Sequence, residues 1–126
     1  MVRKSPRNRG KHRPARLDAD ALSVLSRSDT NLWVTAGSAW EIGIKTRLGR
    51  LDGDALLSTW SEVIADMSAS ELAIDSQDGI LAARLPWEHR DPFDRVVVAQ
   101  ALRRNLTIAT RDVRILQAAL TPTMKV

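Results

Sequence analysis

Four carboxylates sit at places where an apolar run gives way to a polar junction: Glu41, Asp91, Asp94 and Asp112. Glu41 falls on the first turn of the helix expected after NLWVTA, Asp112 directly follows LTIAT, and Asp91 and Asp94 open the helix that feeds it. In open parallel sheets, ligands bind beyond the carboxyl ends of the strands, where helix N-termini converge. Carboxylates brought together repel one another and lose hydration, so a protein that gathers several normally has a cation between them. An oxygen-only site of this kind suits Mg²⁺ or Mn²⁺, and such ions serve phosphodiester hydrolysis by activating water and stabilising developing charge. The competing explanation is local: acids at N-cap and N3 positions stabilise a helix by about 0.3 to 2 kcal/mol through capping and the helix dipole. Glu41 and Asp94 fit that task as well, and spacing alone does not separate the two.

Other chemistries find less support. There is no cysteine, which excludes a disulfide framework, a thiolate metal site and a cysteine nucleophile, and agrees with a reducing compartment. No G-x-S-x-G elbow or phosphate-binding loop is present. His89 stands beside Asp91 as a proton shuttle or ligand, although a lone loop histidine is more often an ordinary solvated side chain. His12 has no assigned role. Trp33, Trp40, Trp60 and Trp87 are too scattered to form a stacking platform; the first three are expected in the core, and Trp87 is placed to meet a base or a partner.

The elements that must position these residues follow from periodicity. A helix is expected at about 18–27, with Asp18 as its N-cap, closed by a turn at 28–30. NLWVTA (31–36) reads as a buried strand. Ser38 and Glu41 have the spacing of a capping box, with Trp40, Ile44 and Leu48 on one helix face before Gly49. Further helices are expected at 54–67 and 76–85, with a short strand at 72–74 between them. Asp91 as N-cap, Pro92 at N1 and Asp94 at N3 open a helix that ends at Asn105, followed by a strand at 106–109, a helix at 113–120 and an edge strand at 123–126. Short apolar strands alternating with helices argue for an α/β domain with a mainly parallel sheet flanked by helices on both faces.

At 126 residues the chain fits one domain. No apolar run reaches the roughly 18 residues of a membrane span and no secretory signal is apparent, so a soluble cytoplasmic protein is expected. The formal charge of +4 hides an asymmetry. Residues 1–16 carry seven of the nineteen Lys and Arg and no acid, which leaves twelve basic against fifteen acidic residues, a charge of −3, in 17–126. The chain is therefore divided into a basic, disordered arm (1–16) and a mildly acidic domain (17–126). Like-charged blocks are usually solvated tails and sometimes touch nucleic acid.

Three segments, LWVTAGSAWEIGIKTRLGRL (Leu32 to Leu51), LPWEHRDPFDRVVVAQAL (Leu85 to Leu102) and LTIATRD (Leu106 to Asp112), resemble the PIN-domain family and, within it, the VapC-type ribonuclease toxins of bacterial toxin–antitoxin pairs. The resemblance implies a parallel sheet flanked by helices, Mg²⁺- or Mn²⁺-dependent cleavage of RNA, a homodimer, and inhibition by a small cognate antitoxin. It implies that Glu41, Asp94 and Asp112 are catalytic, metal-site acids with Asp91 as an auxiliary, and basic side chains such as Arg95 or Arg111 are placed to engage RNA. The departure is at the N-terminus. Family members begin with a central strand of the type L-L-L-D-T-H whose Asp is a further metal-site acid; here that place holds MVRKSPRNRGKHRPAR, with no acid and no apolar run. Asp18 and Asp20 come too late to replace it. The central strand of the fold is therefore expected to be missing, leaving its neighbours to close across the gap or to borrow a strand from a partner chain. Two functions follow: a VapC-like endoribonuclease impaired by truncation, or a catalytically inactive remnant that still binds an antitoxin or a dimer partner.

Overall fold

The computed structural model describes residues 31–126 and, as main chain only, residues 2–5. The helix expected at 18–27, its turn, His12, Asp18, Asp20 and the boundary at residue 17 lie outside the described residues. The strands are β1 (Val2–Ser5), β2 (Asn31–Thr35), β3 (Ala69–Leu72), β4 (Thr107–Thr110) and β5 (Thr123–Lys125). The helices are α1 (Ala36–Arg47), α2 (Asp54–Ser58), α3 (Trp60–Asp66), α4 (Ser76–Arg84), α5 (Pro92–Arg104) and α6 (Val113–Ala118).

The five strands form one sheet in the order β3-β2-β1-β4-β5. β2 pairs in parallel with β3, and β4 with β5, whereas β1 is antiparallel to both β2 and β4. Among the described residues the central strand is antiparallel and carries no acid, so the place that the resemblance gives to a parallel, acid-bearing strand is filled differently. The chain neither closes across the gap nor needs a strand from elsewhere: its own N-terminus enters the centre in reverse. This corrects the expectation that residues 1–16 contribute no element. Backbone pairing depends on N–H and C=O groups that every non-proline residue carries, and buried unpaired groups cost about 1 to 3 kcal/mol each, so two bare neighbouring strands can recruit a segment as polar as Val-Arg-Lys-Ser.

The register has a consequence for function. Val2 lies between Val34 of β2 and Ala109 of β4. Because β2 and β4 are each antiparallel to β1, they run the same way, and their last residues, Thr35 and Thr110, finish level at one edge of the sheet. The helices that follow these strands start from that edge.

The core gathers Leu85, Val97, Val98, Ala101, Leu106, Ile108 and Ile115, with Trp33, Leu72, Leu81, Trp87 and Leu120 packed around it. α5 is its centre. Asn105 ends that helix in the left-handed conformation at φ 53°, as the sequence predicts. A buried polar network ties α4 to α5. Asp78, with 0% exposure, accepts hydrogen bonds from Arg103 Nη1 (2.6 Å), Arg104 Nη1 (2.8 Å) and Gln100 Nε2 (3.2 Å). Asp78 also completes a capping box with Asp75 at the start of α4. Its charge partners hold the Asp78 carboxyl well below the ordinary carboxylate range despite burial, which alone would raise it.

Four expectations change. The strand expected at 72–74 forms earlier, as Ala69–Leu72. The 54–67 helix breaks at Thr59, where the Ser58 and Thr59 hydroxyls donate back to the carbonyls of Asp54 (2.8 Å) and Ala55 (2.9 Å) and compete with the helical ladder. α1 begins earlier than the Ser38 capping box implied, because Thr35 Oγ1 accepts from Gly37 N (3.2 Å) and acts as N-cap, while Ser38 is buried inside the helix. Trp40 is not core: it is 61% exposed, and Ile44 and Leu48 continue its face into solvent.

Candidate metal centre

Asp91 and Asp94 take the places their spacing predicts. Asp91 Oδ1 accepts from the main-chain N–H of Phe93 (2.9 Å) and Asp94 (3.3 Å), so it caps α5, and Pro92 occupies the first turn where its missing N–H is harmless. Asp94 therefore projects from the first turn of α5 at the sheet edge, and it is buried. Asp112 caps α6: its Oδ1 accepts from Arg114 N (2.8 Å), and its own N–H donates to Thr110 Oγ1 (2.9 Å) at the end of β4.

These carboxylates converge. Burial pushes the Asp94 carboxyl up to about 6, partly opposed by the hydrogen bond from His89. The negative charges of Asp91 and Asp112 push it further in the same direction, as does a carboxyl–carboxyl hydrogen bond with Asp112. Three acids from the starts of two helices thus share one site. One ligand atom each from His89, Asp91 and Asp94 lies within 4.8 Å of the others. The carboxylate oxygens are hard donors, and Asp94 holds unfavourable negative charge; these acids fit a divalent cation.

His89 is more involved than a solvated loop histidine. Its Nε2 lies 2.6 Å from Asp94 Oδ2 and its Nδ1 lies 3.2 Å from Arg114 Nη1. A guanidinium only donates, so Nδ1 is the acceptor and Nε2 carries the proton given to Asp94. The loop that carries His89 is held by Arg95. Its Nε donates to Ala82 O (2.9 Å), Nη1 to Trp87 O (2.7 Å) and His89 O (3.0 Å), and Nη2 to Leu85 O (3.0 Å) and Ala83 O (3.4 Å). A guanidinium has five N–H groups, and here each has a carbonyl. Arg95 was offered by the sequence as an RNA contact; its geometry is that of a clamp on the loop. Arg111, the other candidate, is exposed and donates Nε to the main-chain oxygen of Val126 (3.0 Å).

Like Asp112, Glu41 lies outside the set of His89, Asp91 and Asp94 whose ligand atoms are within 4.8 Å of one another. It lies in the second turn of α1 rather than the first, so it caps nothing, and it pairs with Lys45 Nζ at 3.0 Å. Its neighbour Trp40 meets Phe93 edge-on with ring centroids 5.0 Å apart, which joins the helix of Glu41 to that of Asp94.

A model of the PIN domain family matches residues 11–120. The chain belongs to the PIN domain family. PIN domains have a nuclease-type fold, generally use divalent metals and act on RNA. Neither curated proteins nor solved structures gave a match. In this PIN domain the acidic site sits where the level ends of β2 and β4 deliver the starts of α1 and α6, with α5 returning to the same edge. Among the described residues no helix is long and apolar enough to cross a membrane.

His89 and Arg114 were the residues that sequence reasoning underrated or missed. The signal for His89 was its place two residues before the Asp91 cap, which directs the loop at the same helix start that presents Asp94. Arg114 follows the Asp112 cap by two residues, but only the folded loop brings His89 to it.

Proposed function

We propose that this PIN domain is a VapC-like endoribonuclease that cleaves RNA phosphodiester bonds with Mg²⁺ or Mn²⁺, acting in the cytoplasm as the toxin of a toxin–antitoxin pair. The observation that carries this reading is the convergence of Asp91, Asp94 and Asp112, with Asp94 buried and its carboxyl raised to about 6 by burial and like charge. Asp94 and Asp112 would hold the ion, with Asp91 as auxiliary and Glu41 joining from α1 once it is released from Lys45. The bound ion would polarise the scissile phosphate and activate water. His89 fixes the Asp94 carboxylate by donating from Nε2, Arg114 fixes the tautomer of His89, and Arg95 holds the loop in place. Arg111, exposed one residue before Asp112, is the RNA contact in this reading. A homodimer and a small antitoxin complete the proposal on family grounds.

The test is purified protein on structured RNA with Mg²⁺. Cleavage lost in Asp94→Asn and in EDTA supports the reading; equal cleavage by wild type and Asp94→Asn sinks it. Two observations favour a second reading, a non-catalytic remnant that binds an antitoxin or a dimer partner: β1 carries no acid, and α1 exposes Trp40 and Leu48 at 61% and 60%. Co-purification with a small neighbouring-gene product in the absence of any cleavage would select it.

A further inference from the structure

Beside the aspartates lies an open cleft of about 630 Å³, bounded by the loop before α5 on one side and by α6 on the other. Its lining includes Trp87, Arg90, Arg114 and Gln117, and it reaches His89. The volume is in the range of sites that hold small ligands. Trp87 packs against the core and tilts against the His89 ring with centroids 4.9 Å apart, so its indole is fixed in place while still lining the cleft. Arg90 is exposed and makes no ion pair among the described residues. Arg114 uses Nη1 toward His89 and has further N–H groups to offer. Glu88 also lines the cleft, leaving two guanidinium groups against one carboxylate.

An anchored aromatic ring, two guanidinium groups and a carboxamide match the parts of a nucleotide. A base stacks on an indole whatever its identity, a phosphate takes charge-assisted hydrogen bonds from arginine, and an amide reads a base edge or a ribose hydroxyl. The cleft also touches the metal centre through one residue, His89, whose other ring nitrogen meets Asp94. We infer that this cleft is a substrate subsite that seats one unpaired RNA nucleotide next to the scissile bond, its base on Trp87 and its phosphate between Arg90 and Arg114. The inference rests on the nuclease reading and adds to it the residues of this chain that would hold the nucleotide beside the metal centre, Trp87, Arg90 and Arg114.

The experiment is binding without cleavage. A fluorescein-labelled single-stranded RNA octamer and an abasic ribose-phosphate octamer are titrated in EDTA by fluorescence anisotropy. Wild type is expected to prefer the RNA bearing bases. Trp87→Leu is expected to weaken binding of that RNA on the order of tenfold, leaving the abasic strand unchanged. Arg90→Gln is expected to weaken both strands alike and to reduce the slope of log affinity against log salt by about 0.7, one phosphate contact on a single strand. The inference is overturned if Trp87→Leu binds both strands as wild type does, or weakens both equally. If Trp87→Leu melts too low to assay, Trp87→Phe and the exposed Arg90→Gln and Gln117→Ala decide: wild-type affinity in all three also overturns it. Failure here with Asp94-dependent cleavage intact removes the subsite alone. The expected binding pattern with cleavage indifferent to Asp94→Asn removes the nuclease centre and leaves the subsite.

Discussion

Replacing Arg95 by lysine separates two roles that the sequence left together. If Arg95 served mainly as a cation for RNA, Arg95→Lys would keep its charge and most of its effect. The structure instead gives its guanidinium five carbonyl partners, on Ala82, Ala83, Leu85, Trp87 and His89. An ammonium has three donors and no planar fork, so it can satisfy one or two of these at a time. A hydrogen bond contributes about 0.5 to 1.5 kcal/mol net, and more when the donor is charged. Some of the released carbonyls will find water, so the lower half of that range applies, about 0.7 kcal/mol per bond, and losing three or four partners amounts to about 2 to 3 kcal/mol. That is a large part of the roughly 5 to 15 kcal/mol by which a domain is stable, and at about 4 °C per kcal/mol it lowers Tm by about 10 °C. The assay is urea and thermal unfolding of wild type and Arg95→Lys, with circular dichroism as the signal. The mutant should unfold at lower urea with an unchanged m-value, and any cleavage should fall with it as His89 loses its fixed position. An Arg95→Lys protein with wild-type Tm and urea midpoint would refute the clamp.

Other expected outcomes follow from the same geometry. Asp78→Asn removes the buried charge shared by Arg103 and Arg104 and should destabilise by about 1 to 3 kcal/mol in urea unfolding, because charge-assisted hydrogen bonds to a buried acceptor are weakened while Asp75 still pairs with both arginines. The Asp78 carboxyl is depressed in the folded state, so its stabilisation is present above the unfolded value of 3.8 and is lost as pH falls below it; Asp78→Asn should flatten that acid limb. Asp94 has the opposite sign. With its carboxyl raised from 3.8 to about 6, its contribution in EDTA is full below the unfolded value and is lost as pH rises through about 6. The change is at most about 3 kcal/mol, and urea midpoints between pH 4 and 7 should show this decline in wild type and not in Asp94→Asn.

Much of this site was legible in residues that act locally. Asp91-Pro92-Phe93-Asp94 specifies its own geometry, since cap, N1 proline and N3 acid depend only on the helix they open, and Asn105 closes that helix for an equally local reason. What was not legible depends on partners far away in sequence. Ser38 and Glu41 have capping-box spacing, but Thr35 captures the helix start first, and Glu41 moves on to the second turn. Trp40 has the hydropathy of a core residue and faces solvent, because hydrophobic periodicity identifies a face without naming what covers it. The central strand lacked any pattern at all. Val2 to Ser5 is recruited by the unpaired backbones of β2 and β4, and backbone demand leaves no trace in side-chain type. Arg95 and His89 show the same limit, as a cation in a loop motif reads alike whether it meets phosphate or carbonyls.

The central claim, that the aspartates at the starts of α5 and α6 form a divalent-metal centre, is tested most directly by Mn²⁺ titration followed by electron paramagnetic resonance of the free ion. Wild type should deplete the free-ion signal, Mg²⁺ should restore it by competition, and Asp94→Asn and Asp112→Asn should each weaken binding at least tenfold, about 1.4 kcal/mol. Mn²⁺ binding of equal strength in wild type and both variants would contradict it.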